Sequence, residues 1–434
     1  MDMMSDHFSA APTEPGLQMY RFIAELYPIC RSITGNGLRQ TLHSIQQELP
    51  IQLHEVPSGT QVLDWTVPRE WNISDAYVAD LAGKRVIDFK KHSLHVLNYS
   101  IPVHKRISLS ELKEHLFTLP QHPDWIPYRT SYYKENWGFC LSENQARTLT
   151  DPEYDVVIDS TLDQGSLTYG ELLIKGETAD EVLISSHSCH PSLCNDNLSG
   201  VALATFLAKS LSQTRTRYSY RFLLIPGTIG SIAWLARNRD NVSHIKHGLV
   251  LACVGDNGAF HYKKSRRGDA EIDHVVEYFL GQSGFPFKIR EFSPYGYDGR
   301  QYCSPGFNLP VGCFSRTPHG TFPEYHTSAD NLDFINAAAL SRSLKALSGI
   351  IGILESNRTF ANTAPHGEPQ LGKRGLYRAM GGLPDAGERE LAMLWVLNQS
   401  DGSKSLLDIA IRAGIPFALV SEVAELLRQN DLLR

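Results

Sequence analysis

EVLISSHSCHPSLCNDNLSG, residues 181–200, decides how the chain is read. Its apolar start, Val182-Leu183-Ile184, is the short continuous run of a buried parallel strand. It passes directly into His187, Cys189, His190, Cys194 and Asp196, all metal-ligand types. Asp196-Asn197-Leu198-Ser199-Gly200 closes the stretch, and a helix of small residues follows over 201–208. Ligand-type side chains therefore stand at the carboxyl end of a strand and before a helix. Open α/β sheets place their active sites there.

The same strand–helix alternation recurs downstream. Strands are expected at 221–226, at 248–254 (ending on Gly255-Asp256) and at 311–314, leading to His326. Helices are expected at 229–237, 270–281 and 335–354. Upstream, 155–158 and 172–174 read as strands of the same sheet. The pattern predicts an α/β domain, a mostly parallel sheet flanked by helices. Two helices over 17–49 would cover one of its faces. Residues 51–125 change character: 51–56, 61–67 and 86–89 alternate like short strands, and Ser108 with Glu111 fits a capping box before a helix at 109–116. The expected division is an α/β domain over 1–50 and 126–374, a small β-rich insertion over 51–125, and a compact C-terminal module over 375–434. Residues 1–15 read as a loose tail and 375–385 as a Gly-rich linker. Beyond it, three short helices with a turn at Gly414 suggest a winged-helix or helix-turn-helix module.

Bulk properties exclude several classes. The 434 residues carry 41 basic and 47 acidic side chains, a net charge of −6, so no global basic excess points to nucleic acid. Residues 388–434 set Arg389, Lys404, Arg412, Arg428 and Arg434 against seven acids, and a net-acidic module lacks the usual phosphate footprint. An interaction or homo-oligomerisation element is expected instead. No apolar run is read as long enough to span a bilayer, and no signal peptide is read at the N-terminus. Seven scattered cysteines, an odd number, fit a reducing, cytoplasmic setting.

Zinc takes nitrogen, sulfur and carboxylate ligands, and a catalytic zinc keeps one position open. His187 and Asp196 offer two such ligands close in sequence, and His326, also after a strand and before a helix, is the natural third. Asp256 follows a strand directly. The bland alternative has weight, because the chain holds 17 histidines and most will be surface or core residues. Cys189, Cys194 and His190 suggest a structural Cys/His site, but no second CxxC-like pair completes one, so they are set aside as ligands.

Residues 187–200 resemble the metal motif of the M28 zinc aminopeptidases. A nearer resemblance is to a bacterial group of M28-like proteins with an inserted small domain and a C-terminal winged helix, often found with polysaccharide or natural-product biosynthesis. Residues 133–139, 185–200, 264–268, 301–306, 324–331 and 369–375 carry it. The resemblance implies a zinc-aminopeptidase-like fold, with His187, Asp196 and His326 at metal-ligand positions and Asp256 at a ligand position of two-metal relatives. It also exposes a departure. M28 enzymes place two adjacent glutamates after a strand, a general base and a ligand. Here that place holds Gly227 and Thr228. One metal rather than two is implied, and the base must come from elsewhere: Glu324, Asp298 or Asp256.

The expected activity is a zinc-dependent, aminopeptidase-like amide hydrolysis of a small aminoacyl or peptidyl substrate. Acyl transfer or cyclisation at the same site, and metal binding without catalysis, are the alternatives. Tyr133, Lys134 and Trp137 in the aromatic loop, with Arg266 and Arg316 as carboxylate forks, are expected to hold substrate. Aromatic loops more often pack a domain junction, and a single arginine is more often a solvated charge.

Overall fold

A computed structural model describes residues 14–376 and 386–434. The expected tail (1–15) and linker (375–385) fall almost wholly outside these. The chain forms two compact units. One contains the described residues through His274 together with Ser283–Leu347; the other is Val275–Gln282 with Ser348–Arg434.

The larger unit is built on an eight-stranded sheet, ordered Gln52–Pro57, Ser166–Ile174, Ser219–Ile225, Glu181–His187, Ile245–Leu251, Val311–Ser315, Phe260–Lys263 and Phe287–Arg290. The four strands from Ser219–Ile225 to Val311–Ser315 run parallel. On either side of these four the sheet turns antiparallel, and its last pair, Phe260–Lys263 with Phe287–Arg290, is parallel again, so four of its seven pairings are parallel. All seven residues of Glu181–His187 are buried, as a central strand covered on both faces requires. The following helix, Ser199–Ser212, starts hard against the sheet. A Cβ at Gly200 would lie 2.6 Å from both the Asn197 side chain and the Leu251 carbonyl, so only glycine permits the approach.

The small domain differs from its expected boundaries at both ends. Gln52–Pro57 pairs with Ser166–Ile174 and so belongs to the main sheet. Glu153–Asp163, expected in the main sheet, is instead the long central strand of an antiparallel sheet ordered Arg85–Asp88, Glu70–Ala79, Glu153–Asp163, Val103–Ser108. Its buried positions alternate, the period of a strand with one face on a core. Alternation of this kind does not say which sheet a strand joins. Ser108 caps the next helix as expected, its Oγ accepting from the Glu111 amide at 3.2 Å.

In the second unit, helices Ala386–Gln399, Leu406–Ala413 and Phe417–Gln429 surround a short antiparallel pair, Thr359–Ala361 with Asp401–Ser405. Ser405 and Asp408 form a full capping box, and Gly414 turns the chain at a φ of 65°. The pairing draws Thr359–Ala361 into this unit, upstream of the boundary expected at 375. Helix Ala337–Ser356 corrects one expectation: at 20 residues and a mean hydropathy of 1.4 it is long and apolar enough to cross a bilayer. More than half of its apolar window, 56%, is buried within the protein, as in a core helix.

Candidate metal centre

His187 is the last residue of its strand, and the chain then loops back through His190 to an irregular turn, Cys194–Leu198, that carries Asp196. Ligand atoms of His187, His190 and Asp196 all lie within 4.8 Å of one another. His187 Nε2 is 2.8 Å from Asp196 Oδ1, and His190 Nδ1 is 4.0 Å from Asp196 Oδ2. His326 joins from the far side, its Nε2 3.0 Å from Asp196 Oδ2. His187 and Asp196 are 1% and 0% exposed, whereas His326 is the solvent-facing member.

The backbone around these ligands is locked by buried amides and carboxylates. Asp330 accepts from the Asn195 and Asp196 amides at 2.5 and 2.9 Å. Asn197 Nδ2 donates to Ser186 Oγ and to the Leu251 carbonyl, and Asn197 Oδ1 accepts from the Cys253 amide, tying the turn to two neighbouring strand ends. Arg31, fully buried, donates from Nε to the His190 carbonyl at 2.8 Å. His326 sits at a φ of 56°, a left-handed conformation costly for a non-glycine residue. The Tyr128 amide, donating to the His326 carbonyl at 2.8 Å, helps hold it there.

This donor set fits a metal ion. His190 Nδ1 and Asp196 Oδ2 are buried with no hydrogen-bond partner among the described residues, and His326 Nε2 stands 3.0 Å from the same Oδ2. Buried polar atoms are rarely left so, and a metal ion between them would satisfy both. Burial holds the His190 pKa well below its usual value, so the ring is a neutral ligand. Burial works to raise the Asp196 pKa, but His190, His187 and His326 together hold it well below the carboxylate range. Imidazoles with one carboxylate are a zinc-type set.

Gly227 does lie beside this cluster. A Cβ there would be 3.2 Å from the His187 Cβ, 3.6 Å from the Tyr297 ring and 3.7 Å from Asp298 Oδ2. Asp298 is fully buried; its Oδ1 accepts from Ser231 Oγ at 2.8 Å, while its Oδ2 has no partner among the described residues. Burial pushes its pKa up to about 6, against the opposing effects of His187 and Ser231. Tyr297 Oη lies 3.1 Å from His326 Nε2 and 2.7 Å from Tyr325 Oη. Burial raises both phenol pKa values, so both stay protonated.

The other expected residues are placed elsewhere. Asp256 commits both oxygens, Oδ2 to Asn195 Nδ2 and the Thr317 amide, Oδ1 to Thr317 Oγ1 and the Gly258 amide. It braces the ligand turn through Asn195. Glu324 is half-buried, two residues before His326, and its carboxylate makes no hydrogen bond or ion pair with a described residue. Trp137 is buried against His115, rings stacked at 3.6 Å. Tyr133 is exposed and tilted against Trp65, and Lys134 is exposed next to it. Arg266 is an exposed side chain bonded to Asn308. Arg316 is buried over the Phe260 ring.

Sequence reasoning missed His190, set aside because a cysteine-based site seemed to need a second pair. Its spacing, three residues past His187 and six before Asp196, was the available signal. It also missed the aromatic wall. Tyr128 stands edge-on to His190 and His326 at 5.2 and 5.1 Å, and Tyr297 lies 4.9 Å from His187. No local pattern marks those tyrosines, because they arrive from distant loops.

A family described as "Domain of unknown function (DUF4910)" matches residues 20–357, and a winged helix-turn-helix family matches 358–434. A Clostridium acetobutylicum protein named "Putative polysaccharide biosynthesis protein with aminopeptidase-like domain" is 54% identical over 422 residues, 97% of either chain. The crystal structure of a "putative peptidase" from Clostridium acetobutylicum superposes with a TM-score of 0.91 at 53% identity, covering 97% of this chain and 96% of that one. A zinc aminopeptidase from Bacillus subtilis shares the fold at a TM-score of 0.56 and 13% identity, over 80% of this chain and 96% of its own. The last likeness is one of fold alone. The family match spans every residue of the candidate metal cluster, and the chain therefore belongs to the DUF4910 family, an aminopeptidase-like α/β fold joined here to a C-terminal winged helix.

Proposed function

We propose that this protein is a zinc-dependent amide hydrolase acting on a small aminoacyl or peptidyl substrate. The zinc would be held by His187, Asp196 and His326, with His190 as a further neutral donor. A zinc ion there supplies Lewis acidity, polarising a carbonyl and making water easier to deprotonate. The observation that carries the reading is Asp298. Its buried Oδ2, without a partner among the described residues, lies 3.7 Å from where a Cβ at Gly227 would stand, on the His187 side of the cluster. A carboxylate with a pKa near 6 is ionised at neutral pH yet basic enough to take a proton from water and return it to a leaving amine. Tyr297 Oη, a protonated phenol beside His326, is placed to donate to the oxygen on which charge develops. The buried, ring-lined setting keeps bulk water from competing with these groups. The name of the Clostridium acetobutylicum relative, which mentions polysaccharide biosynthesis, supports a biosynthetic setting.

The test is product mass after incubating zinc-loaded protein with aminoacyl amides, short peptides and N-acylated amino sugars. Hydrolysis adds one water to the summed products; transfer or cyclisation adds none, and would overturn the hydrolytic reading. Asp298→Asn should lower kcat by about 100-fold or more at unchanged zinc content. Gly227→Glu in that background should recover about ten-fold, because its carboxylate enters the same space. Full activity in Asp298→Asn would transfer the role of base to Glu324.

A further inference from the structure

Arg316 and Arg342 are a charge problem that the metal centre does not solve. Arg316 is 3% exposed and Arg342 8%. Arg316 Nε and Nη1, and Arg342 Nη1, are buried without a hydrogen-bond partner among the described residues. The guanidinium of Arg316 lies over the Phe260 ring, 4.5 Å from its centroid, an attraction that leaves its in-plane N–H groups unused. Asp256 and Asn257 link the two cations. Asp256 accepts from the Thr317 amide and hydroxyl, next to Arg316, and Asn257 Oδ1 accepts from Arg342 Nη2 at 3.2 Å.

The acceptors present do not suffice. Both Asp256 oxygens already hold Asn195, Gly258 and Thr317, and Asn257 Oδ1 is shared with Asn336 Nδ2 at 2.9 Å. Arg316 thus has no hydrogen bond to the one carboxylate that acts on it, and Arg342 bonds only the shared Asn257 Oδ1 among the described residues. The strain registers on Arg316, whose pKa burial and then Arg342 push down to about 10 while Asp256 resists. Unpaired buried charge costs several kcal/mol per group, and removing it calls for a counter-charge with several acceptor atoms. Guanidinium pairs meet that need with tetrahedral or planar oxyanions.

We propose that Arg316 and Arg342 form a binding site for a small inorganic oxyanion of the phosphate or sulfate class, beside Asp256 and one hydrogen bond from the metal-ligand turn. Asp256 reaches that turn through Asn195 Nδ2 at 2.9 Å, so the bound anion steadies the residue that braces Asp196. The site is separate from the proposed reaction and does not depend on it.

The experiment is calorimetric titration of inorganic phosphate into the full-length protein in phosphate-free buffer, with sodium chloride at matched ionic strength as the control. One saturable phosphate per chain is expected, with a rise in Tm of about 2 °C or more at saturation. Arg342→Gln and Arg316→Gln should each weaken binding by about ten-fold or more. Should Arg316→Gln fail to fold, Arg342→Gln alone decides. Chelating the metal, or His187→Ala, should leave phosphate binding intact. Absence of saturable binding beyond the chloride control, unchanged affinity in the variants, or loss of binding with the metal would each overturn the proposal; the last would put the phosphate on the metal.

Discussion

His190 shows how a single residue escapes sequence reading. Its neighbours Cys189 and Cys194 suggested a thiolate site, yet both cysteines are buried and burial raises their thiol pKa values to or beyond about 12, so neither is a ready ligand. The imidazole is the usable donor. His190→Ala should weaken zinc binding by about ten-fold or more, read by competition with a chromophoric chelator; unchanged affinity would remove His190 from the ligand set. The convergence of His187, Asp196 and His326 was legible because each lies on or after a parallel strand of one sheet, where topology brings side chains together. Asp298 was legible only as one acid among several, since nothing local says that its Oδ2 will be buried and free. That burial has a measurable sign. Asp298 titrates near 6 when folded and near 4 when unfolded, so between those values the folded state holds the extra proton. Its contribution therefore becomes more destabilising as pH rises from about 4 to 6. In metal-free protein, Asp298→Asn should gain up to about 3 kcal/mol relative to wild type between pH 4 and 7, read by urea denaturation at each pH. A pH-independent difference would mean that Asp298 is not held as a reluctant acid.

At the scale of elements, the turn Cys194–Leu198 matters more than the helix it precedes. The side chains of its two asparagines and the backbone amides of Asn195 and Asp196 are held by Asp256, Ser186, strand-end backbone and Asp330. Asp330 is the keystone because both of its oxygens accept backbone amides of this turn. Asparagine in its place keeps one acceptor and turns an N–H toward the other amide. Asp330→Asn should cost about 1–3 kcal/mol in folding stability and weaken zinc binding, although it touches no metal. A stability loss with zinc affinity intact would separate the turn's folding from ligand placement. The sequence announced the turn's function but not its bracing, because Asp330 lies 134 residues from Asp196. The same limit explains the strands. Apolar runs identified Glu181–His187 and Ile245–Leu251 as central, while alternation could not tell that Glu153–Asp163 leaves the main sheet and Gln52–Pro57 enters it.

At the scale of the whole molecule, the C-terminal winged helix raises the question of nucleic acid, since that motif often places a helix in a DNA groove. The charge on this one argues otherwise. Helix Phe417–Gln429 carries Glu422 and Glu425 with a single arginine, Arg428, and that arginine is paired to Glu425 at 2.7 Å. Arg389, on helix Ala386–Gln399, is likewise engaged with Glu422. DNA binding draws most of its affinity from unpaired cations that displace counterions at phosphates. A helix whose only cation is already neutralised, flanked by two acids, repels a phosphate backbone at groove distance. The full-length protein should therefore show no salt-dependent binding to random-sequence duplex DNA at about 50 mM salt, measured by fluorescence anisotropy. Glu422→Lys with Glu425→Lys should create weak, salt-sensitive binding by freeing Arg389 and Arg428 while reversing two charges. Tight binding by the wild type that weakens steeply with salt would make the module a DNA reader despite its acids.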